Sequence, residues 1–226
     1  MKIHLVHAAV LSLALSIWAQ AASGQDAERP ALVLDESAWV TFYDLPSRRF
    51  RNIRDGFLRR DFEEISRDLE VTIGFLTVEA RRSVPELTGV FAENIGRFER
   101  VRANLASADV TIADLDNTFA QSHWVLSQHY LVEAIRSRET ERHRMAGRYL
   151  IATAHHLERA VIWSGSRVTG DVLNSLESIR EMASRLADGD NPAEVYRDRP
   201  LRLAAKTIAT VGEQIDRRLR IELALP

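Results

Sequence analysis

Apolar residues recur at intervals of three and four positions along almost the whole chain after Asp35. This spacing places the apolar side chains on one face of a helix, whereas a half-buried strand would show strict alternation. Glycine and proline, which most often interrupt helices, number only 10 and 6 among 226 residues. The pattern predicts an all-α protein, an antiparallel bundle of about six long helices.

Start and stop signals divide this pattern into elements. Asp35 is the predicted N-cap of the first helix, which Pro46 is expected to kink or split. Ser83 and Thr111 each precede an acidic residue by three positions, so a capping box is expected at the start of the helix that follows each of them. The other helices are predicted around residues 62–76, 140–164, 168–186 and 201–219.

The chain also contains an internal repeat. Sliding the sequence against itself by 81 residues aligns two predicted helical hairpins, residues 35–82 and 116–164. Matched positions include Leu34-Asp35 with Leu115-Asp116, Leu69 with Leu150, and Leu76 with Leu157. Similarity at a fixed offset indicates a duplicated unit. We therefore expect a single all-α domain, residues 35–226, built around two copies of a hairpin.

A resemblance supports hairpins as the building unit. The segment Phe57-Leu58-Arg59-Arg60-Asp61-Phe62, followed by Ile65 and Leu69, resembles the helix-turn-helix unit of tetratricopeptide-type repeats. It is also similar in general form to exported helical-bundle proteins of the YfdX type. The resemblance covers about 50 residues and implies a shape alone, because it carries no functional residue into this chain.

The N-terminus has the three parts of a secretory signal peptide. Lys2 supplies the positive start, an apolar run extends from Leu5 to Ile17, and Ala19-Gln20-Ala21 provides small residues for cleavage after Ala21. The run is shorter than the roughly 20 residues of a membrane span. We expect a cleavable signal peptide at 1–21, a disordered lead-in at 22–34, a periplasmic location and no membrane-spanning helix.

Composition narrows the classes of function. The chain has no cysteine, which excludes disulfides, a lipoprotein anchor, thiolate chemistry and c-type haem attachment. A formal charge of −2 argues against nucleic acid as a partner. Lys2 and Lys206 are the only lysines, so 28 of the 30 basic residues are arginine. The arginines are spread beside Asp and Glu, as on solvated helix faces, whereas anion recognition would require them to cluster.

The histidines concentrate in the second predicted hairpin. Five of the seven lie between His123 and His156, and the other two, His4 and His7, fall in the predicted signal peptide. The offset of 81 places His123, His143 and His156 on Phe42, Phe62 and Phe75. Positions that are aromatic and apolar in the first hairpin therefore carry imidazoles in the second.

Helical geometry indicates which imidazoles can meet. In an antiparallel hairpin that turns near residues 139 and 140, His123 is level with His156, because each residue rises about 1.5 Å. His129 lies about 9 Å nearer the turn, and His155 points about 100° away from its neighbour His156. The sequence predicts a site formed by His123 and His156, with His129 or His155 as a third member.

Several chemistries are open to this cluster. Two or three imidazoles inside a bundle suit copper, zinc or nickel, so His123, His156, His129 and His155 are predicted metal ligands. A b-type haem with two histidine ligands is less favoured, because adjacent helices leave little room for a macrocycle. Histidines on an apolar helix face are more commonly hydrogen-bonded core residues, or they make the core responsive to pH.

Two classes of function follow. The chain shows no arrangement of nucleophile, acid–base pair and orienting group, so we do not expect an enzyme. The first class is a non-enzymatic periplasmic helical bundle that binds another envelope protein. The second is a small periplasmic metal- or haem-binding protein that uses His123 and His156.

Overall fold

The computed structural model describes the backbone of residues 36–105, 109–190 and 198–224, and the side chains of residues 38–105, 109–190 and 198–215. These residues form eight helices: α1 Glu36–Tyr43, α2 Leu45–Arg59, α3 Phe62–Arg82, α4 Pro85–Ala103, α5 Ile112–Glu139, α6 His143–Trp163, α7 Gly170–Asp188 and α8 Arg199–Ala224. No strand occurs within those ranges. The all-α prediction is confirmed, whereas the predicted signal peptide and lead-in lie outside the described residues.

The first predicted helix is divided into α1 and α2, as Pro46 led us to expect. Pro46 is the second residue of α2. It has no N–H to donate to the carbonyl of Phe42, so the ladder of helical hydrogen bonds is interrupted where α1 ends. In the first turn of α2 the missing N–H costs nothing, because helices leave those groups without internal partners.

The two predicted capping boxes have different outcomes. The box at Thr111 is confirmed: its hydroxyl oxygen accepts from the N–H of Asp114, and the Asp114 carboxylate accepts from the N–H of Thr111. The box at Ser83 is wrong, since α4 begins after Val84 and Ser83 ends α3 instead. The Ser83 hydroxyl donates to the carbonyl of Ala80 in α3, because so short a connection leaves it beside the end of the preceding helix.

The helices pack around the α5–α6 hairpin. Helix α6 packs along α5, α7 packs on α6, and α8 contacts α5, α6 and α7. Helices α2 and α4 contact α5, and α3 packs against both α2 and α4. Phe50 of α2, Phe98 of α4 and Phe119 of α5 stack in the shared core, with centroids 4.5 Å apart for Phe50 and Phe119. Both predicted hairpins therefore share one core, and their origin by duplication stays a prediction.

In the described ranges, no helix has both the length and the apolar character that crossing a bilayer requires. Charged side chains recur along their outer faces, where many pair with one another. The described part of the fold is therefore consistent with the prediction that the chain has no membrane-spanning helix.

The close approach of α6 to α7 depends on Gly147. A Cβ atom at this position would overlap the backbone nitrogen of Ala187 and would stand 2.5 Å from the carbonyl oxygen of Ala183. Backbone atoms of a packed helix cannot move aside as the end of a flexible side chain can. Gly147 therefore sets the spacing between these two helices.

We predict that Gly147→Ala lowers the free energy of unfolding by about 2 to 3 kcal/mol, because the added methyl group overpacks the α6–α7 contact. Urea unfolding followed by circular dichroism measures the change. Gly74→Ala in α3 is the matched control, since its Cβ meets nothing within 4 Å. The control is expected to be as stable as the wild type or up to about 1 kcal/mol more stable. Equal stability of the two variants would contradict the prediction.

Candidate functional site

His123 and His156 meet at the centre of the α5–α6 hairpin. Both side chains are fully buried. Their Nδ1 atoms are 2.8 Å apart and their ring centroids are 5.1 Å apart. The two residues are thus level across the hairpin, as the helical rise predicted. At this distance one ring donates its Nδ1–H and the other accepts with the lone pair of Nδ1.

The two imidazoles are uncharged at neutral pH. Burial lowers the pKa of His123 and of His156 well below the usual value, and the proximity of the two rings lowers that of His156 further. A protonated imidazole here would lose its hydration without gaining a carboxylate beside it. The Nε2 atoms of both rings are also buried, and neither has a hydrogen-bond partner among the described residues.

Aromatic rings enclose the pair. Phe50 places its ring edge-on to His123, with centroids 4.9 Å apart. Tyr130 stacks parallel to His156 at 5.3 Å and 7°. Burial and the nearby Glu79 carboxylate raise the pKa of Tyr130 well above its usual value, so its hydroxyl is neutral. The rings in contact with the pair are therefore uncharged, and the positive charge of Arg159 lowers the pKa of both imidazoles further.

His129 lies apart from this pair and faces a carboxylate. Its Nε2 atom is 2.8 Å from Oε2 of Glu79, and both side chains are fully buried. Nη1 of Arg82 donates to the other oxygen, Oε1 of Glu79, at 2.8 Å. Burial opposes the charge on Glu79, but the contacts with His129 and Arg82 outweigh it and lower the pKa of the carboxyl group. Glu79 is therefore an ionised carboxylate inside the protein.

Sequence reasoning missed Glu79, although a signal was present. Thr72, Phe75, Leu76 and Glu79 follow the spacing of one buried helix face in α3. A glutamate on such a stripe is seldom buried unless it is paired. The missing information was the identity of its partner, because His129 lies on a different helix, 50 positions further along the chain.

His155 turns away from the pair toward the junction of α1 and α2. Its Nε2 atom is 2.8 Å from Oγ of Ser47 and 3.1 Å from Oδ1 of Asp44. A hydrolytic triad places the serine at one ring nitrogen and the carboxylate at the other, where it orients the base. Here the carboxylate and the hydroxyl compete for the same nitrogen. The contact therefore lacks the geometry of a triad despite its composition.

The chemistry of His155 also argues against catalysis by this group. Burial lowers the pKa of His155 to about 4, even though the carboxylate of Asp44 favours the charged form. A base of this strength is a weak acceptor for the proton of a serine hydroxyl near neutral pH. Ser47 is 2% exposed, so a substrate cannot reach its oxygen. The three side chains instead tie the start of α2 to α6.

The geometry separates the ligands predicted for a metal or a haem. Within the described residues, no group of three or more His, Asp or Glu side chains is arranged to hold a metal ion. Zinc commonly has four ligands in a tetrahedron, and the predicted third ligands, His129 and His155, contact other partners. A haem requires a macrocycle between its axial imidazoles, and rings whose nitrogens are 2.8 Å apart leave no space for one. His123 and His156 remain as a two-nitrogen site.

Comparisons of this chain with protein-family models, with curated proteins and with solved structures return no match. The resemblance to tetratricopeptide-type and YfdX-type hairpins therefore stays a prediction that rests on the residues quoted for it. The histidine pair and its surroundings are the features from which a function can be inferred.

We predict that the free energy of unfolding falls as the pH decreases below about 6.5. Imidazoles of the unfolded chain take up protons near that pH, whereas the folded pair, with its lowered pKa values, does not. The contribution of the pair to the free energy of unfolding is therefore fully present above about pH 6.5. Below that pH it is lost by up to about 1.4 kcal/mol per pH unit for each histidine. Urea unfolding between about pH 8 and pH 5 measures this slope.

The variant that isolates this effect is His123→Phe combined with His156→Phe. Its stability is expected to depend less on pH, by about 2 to 3 kcal/mol per unit below pH 6.5, because both titrating groups are gone. His143→Gln, which removes a histidine outside the pair, is the control and should keep the wild-type slope. Parallel slopes for the wild type and the double variant would show that the pair is not held neutral.

We also predict that Glu79→Gln lowers the free energy of unfolding by about 3 to 5 kcal/mol, because it leaves the buried guanidinium of Arg82 without a counter-charge. Thermal and urea unfolding measure the loss. Glu93→Gln removes the exposed partner of Arg97 in α4 and is the matched control, with an expected cost below about 1 kcal/mol. A similar small effect of both changes would contradict the assignment of a buried ion pair.

Proposed function

We propose that the chain is a non-enzymatic binding protein of the periplasm and that its ligand is a single copper(I) ion held by His123 and His156. The observation that carries the proposal is the approach of two buried, neutral imidazole nitrogens to 2.8 Å. The periplasmic location rests on the signal peptide predicted from residues 1–21. Imidazole is a ligand that suits copper.

Charge and ligand number favour copper(I) over the other metals considered. Copper(I) is stable with two nitrogen ligands in a line, whereas zinc takes about four ligands and nickel(II) prefers a square-planar or larger set. A metal binds the lone pair of a neutral imidazole, and the lowered pKa values of His123 and His156 keep both rings neutral well below pH 7. Two neutral nitrogens without a carboxylate match a monovalent ion.

Binding requires two local changes in the pair. The ring that donates its Nδ1–H moves that proton to its Nε2 atom, so that both Nδ1 atoms offer lone pairs. For His123 and His156 to hold the ion between them, their Nδ1 atoms would also have to move apart from 2.8 Å. Because both rings start neutral, no proton is released, and the affinity for copper(I) should vary little between about pH 6 and pH 8.

The enclosure of the pair suits the same ion. Phe50 and Tyr130 cover the two rings and exclude water. Copper(II) prefers a tetragonal set of nitrogen and oxygen ligands, which the surroundings of the pair do not supply among the described residues. Two buried nitrogens without further ligands therefore favour the monovalent state.

We predict one copper(I) ion per chain when the mature protein, purified without a histidine tag, is titrated without oxygen against a chromophoric copper(I) chelator such as bicinchoninate. His123→Phe and His156→Phe are each expected to remove at least about 99% of the affinity, because a single imidazole cannot complete the site. His143→Gln is the matched control and should bind as the wild type does. Circular dichroism confirms that each variant is folded.

Two outcomes would contradict this function. Copper(I) binding that persists in both single variants would place the ion elsewhere, and stoichiometric zinc binding in preference to copper(I) would require ligands beyond the pair. If the wild-type chain binds no copper(I), the envelope-protein partner expected from the sequence becomes the function to test, by crosslinking in intact cells.

A further inference from the structure

A groove lined by cationic and neutral polar residues runs between α7 and α8 on the surface of the protein. It has a volume of about 390 Å³. The residues that line it are Asn174, Ser175 and Ser178 from α7 and Arg199, Arg202, Leu203 and Lys206 from α8. None of these residues is acidic, and three of them are cations.

The cations lie along one face of α8. Arg199, Arg202 and Lys206 follow the helical spacing of three and four residues, which brings them onto the same side. Lys206 is the only lysine after the predicted signal peptide. Between the described side chains, Arg199 and Lys206 form no ion pair, and Arg202 is 3.9 Å from Asp198. That carboxylate is already bound by Arg138 at 2.7 Å.

This arrangement differs from the faces of the protein on which arginines are paired. Surface arginines there have a carboxylate beside them, as in the pairs Arg59–Glu64, Arg97–Glu93, Arg180–Glu158 and Arg185–Asp190. The distribution of arginine along the sequence predicted such solvated, balanced faces throughout. At the α7–α8 groove the fold instead places three cations on one face, beside a single carboxylate, Asp198, that Arg138 also binds. An excess of positive charge favours anion recognition.

Neutral hydrogen-bond donors lie opposite the cations. Ser175 and Ser178 present hydroxyl groups and Asn174 presents an amide, all from α7. Within the described part of the chain, these side chains form no hydrogen bond to protein. Helical serines often bond to a carbonyl of the preceding turn, and these two do not. The groove thus combines hydroxyl and amide donors on one wall with Arg199, Lys206 and the loosely paired Arg202 on the other.

We propose that this groove binds a phosphate group, either as a soluble phosphate compound or as the head group of an anionic lipid. Arginine binds phosphate through paired N–H donors, lysine contributes a point charge, and hydroxyl groups complete the set. A phosphate monoester carries about −1.5 to −2 charges and three acceptor oxygens near neutral pH. A carboxylate, with one charge and two oxygens, would use fewer of the donors than a monoester. The phosphodiester of a lipid head group also carries one charge, but its two ester oxygens add acceptors to its two free oxygens. The groove is larger than a phosphate ion and has room for an attached group.

The test uses the mature, full chain in phosphate-free buffer at low ionic strength, because exposed charges are screened by salt. Isothermal titration calorimetry measures the binding of inorganic phosphate. Co-sedimentation measures the binding of vesicles of phosphatidylglycerol, with phosphatidylcholine vesicles as the uncharged comparison. We expect saturable binding of at least one of the two anionic probes.

Two variants test the residues of the groove. Arg199→Gln combined with Lys206→Gln should weaken binding at least about tenfold, because two charge-assisted contacts are lost. Ser178→Ala leaves the charge unchanged and should weaken binding about threefold or more, through loss of one hydroxyl donor. Arg59→Gln combined with Arg67→Gln removes the same charge from the exposed α2–α3 surface and is the control, with binding expected to be unchanged.

The outcomes separate the two sources of phosphate from failure of the proposal. Groove-dependent binding of inorganic phosphate without vesicle binding identifies a soluble phosphate compound. Groove-dependent binding of phosphatidylglycerol vesicles identifies a lipid head group. The proposal is overturned if neither probe binds saturably, or if the control pair weakens binding as much as the groove pair does. Copper(I) plays no part in these measurements, so they succeed or fail independently of the histidine site.

Discussion

His123 and His156 meet where neither imidazole has access to water, so the polar Nδ1 atoms have to satisfy each other. This requirement fixes how α5 faces α6. A rotation of either helix by one residue, about 100°, would turn an imidazole against apolar side chains and leave its nitrogens without a partner. Helices α7 and α8 pack against α6, and α2 and α4 contact α5. The positions of these outer helices therefore follow from the same contact.

A second buried polar contact joins the first predicted hairpin to the second. Glu79 and Arg82 belong to α3, whereas His129 belongs to α5. Buried ion pairs contribute little net stability, because desolvation offsets most of the attraction, but an unpaired member is costly. The main effect of the Glu79 contact is therefore to destabilise wrong arrangements of α3 on α5. Apolar stripes alone would tolerate a shift of α3 by one turn, which would leave the buried carboxylate without the imidazole of His129.

The sequence predicted features that depend on local geometry. Helical periodicity located the helices, the missing N–H of Pro46 located the division between α1 and α2, and the regular rise per residue brought His123 level with His156. Features that depend on contact with a second helix could not be predicted from the sequence. The capping box at Ser83 failed because the end of α3 competes for the hydroxyl, and Glu79 was missed because its partner lies on α5. The cations of α8 shared a visible spacing, but only the fold places Ser175 and Ser178 opposite them.

The buried charges explain why a monovalent ion suits this core better than a divalent one. The negative charge of Glu79 is already balanced by Arg82, and the imidazoles of His123 and His156 are neutral. An ion bound between the imidazoles would add its full charge to an interior that holds no uncompensated carboxylate among the residues around the pair. The cost of a buried charge rises steeply with its magnitude, roughly as the square in a uniform medium of low dielectric constant. In the proposed site, a single positive charge shared with two polarisable rings, one of them stacked against Tyr130, would therefore be the largest that the pair could hold without a further ligand.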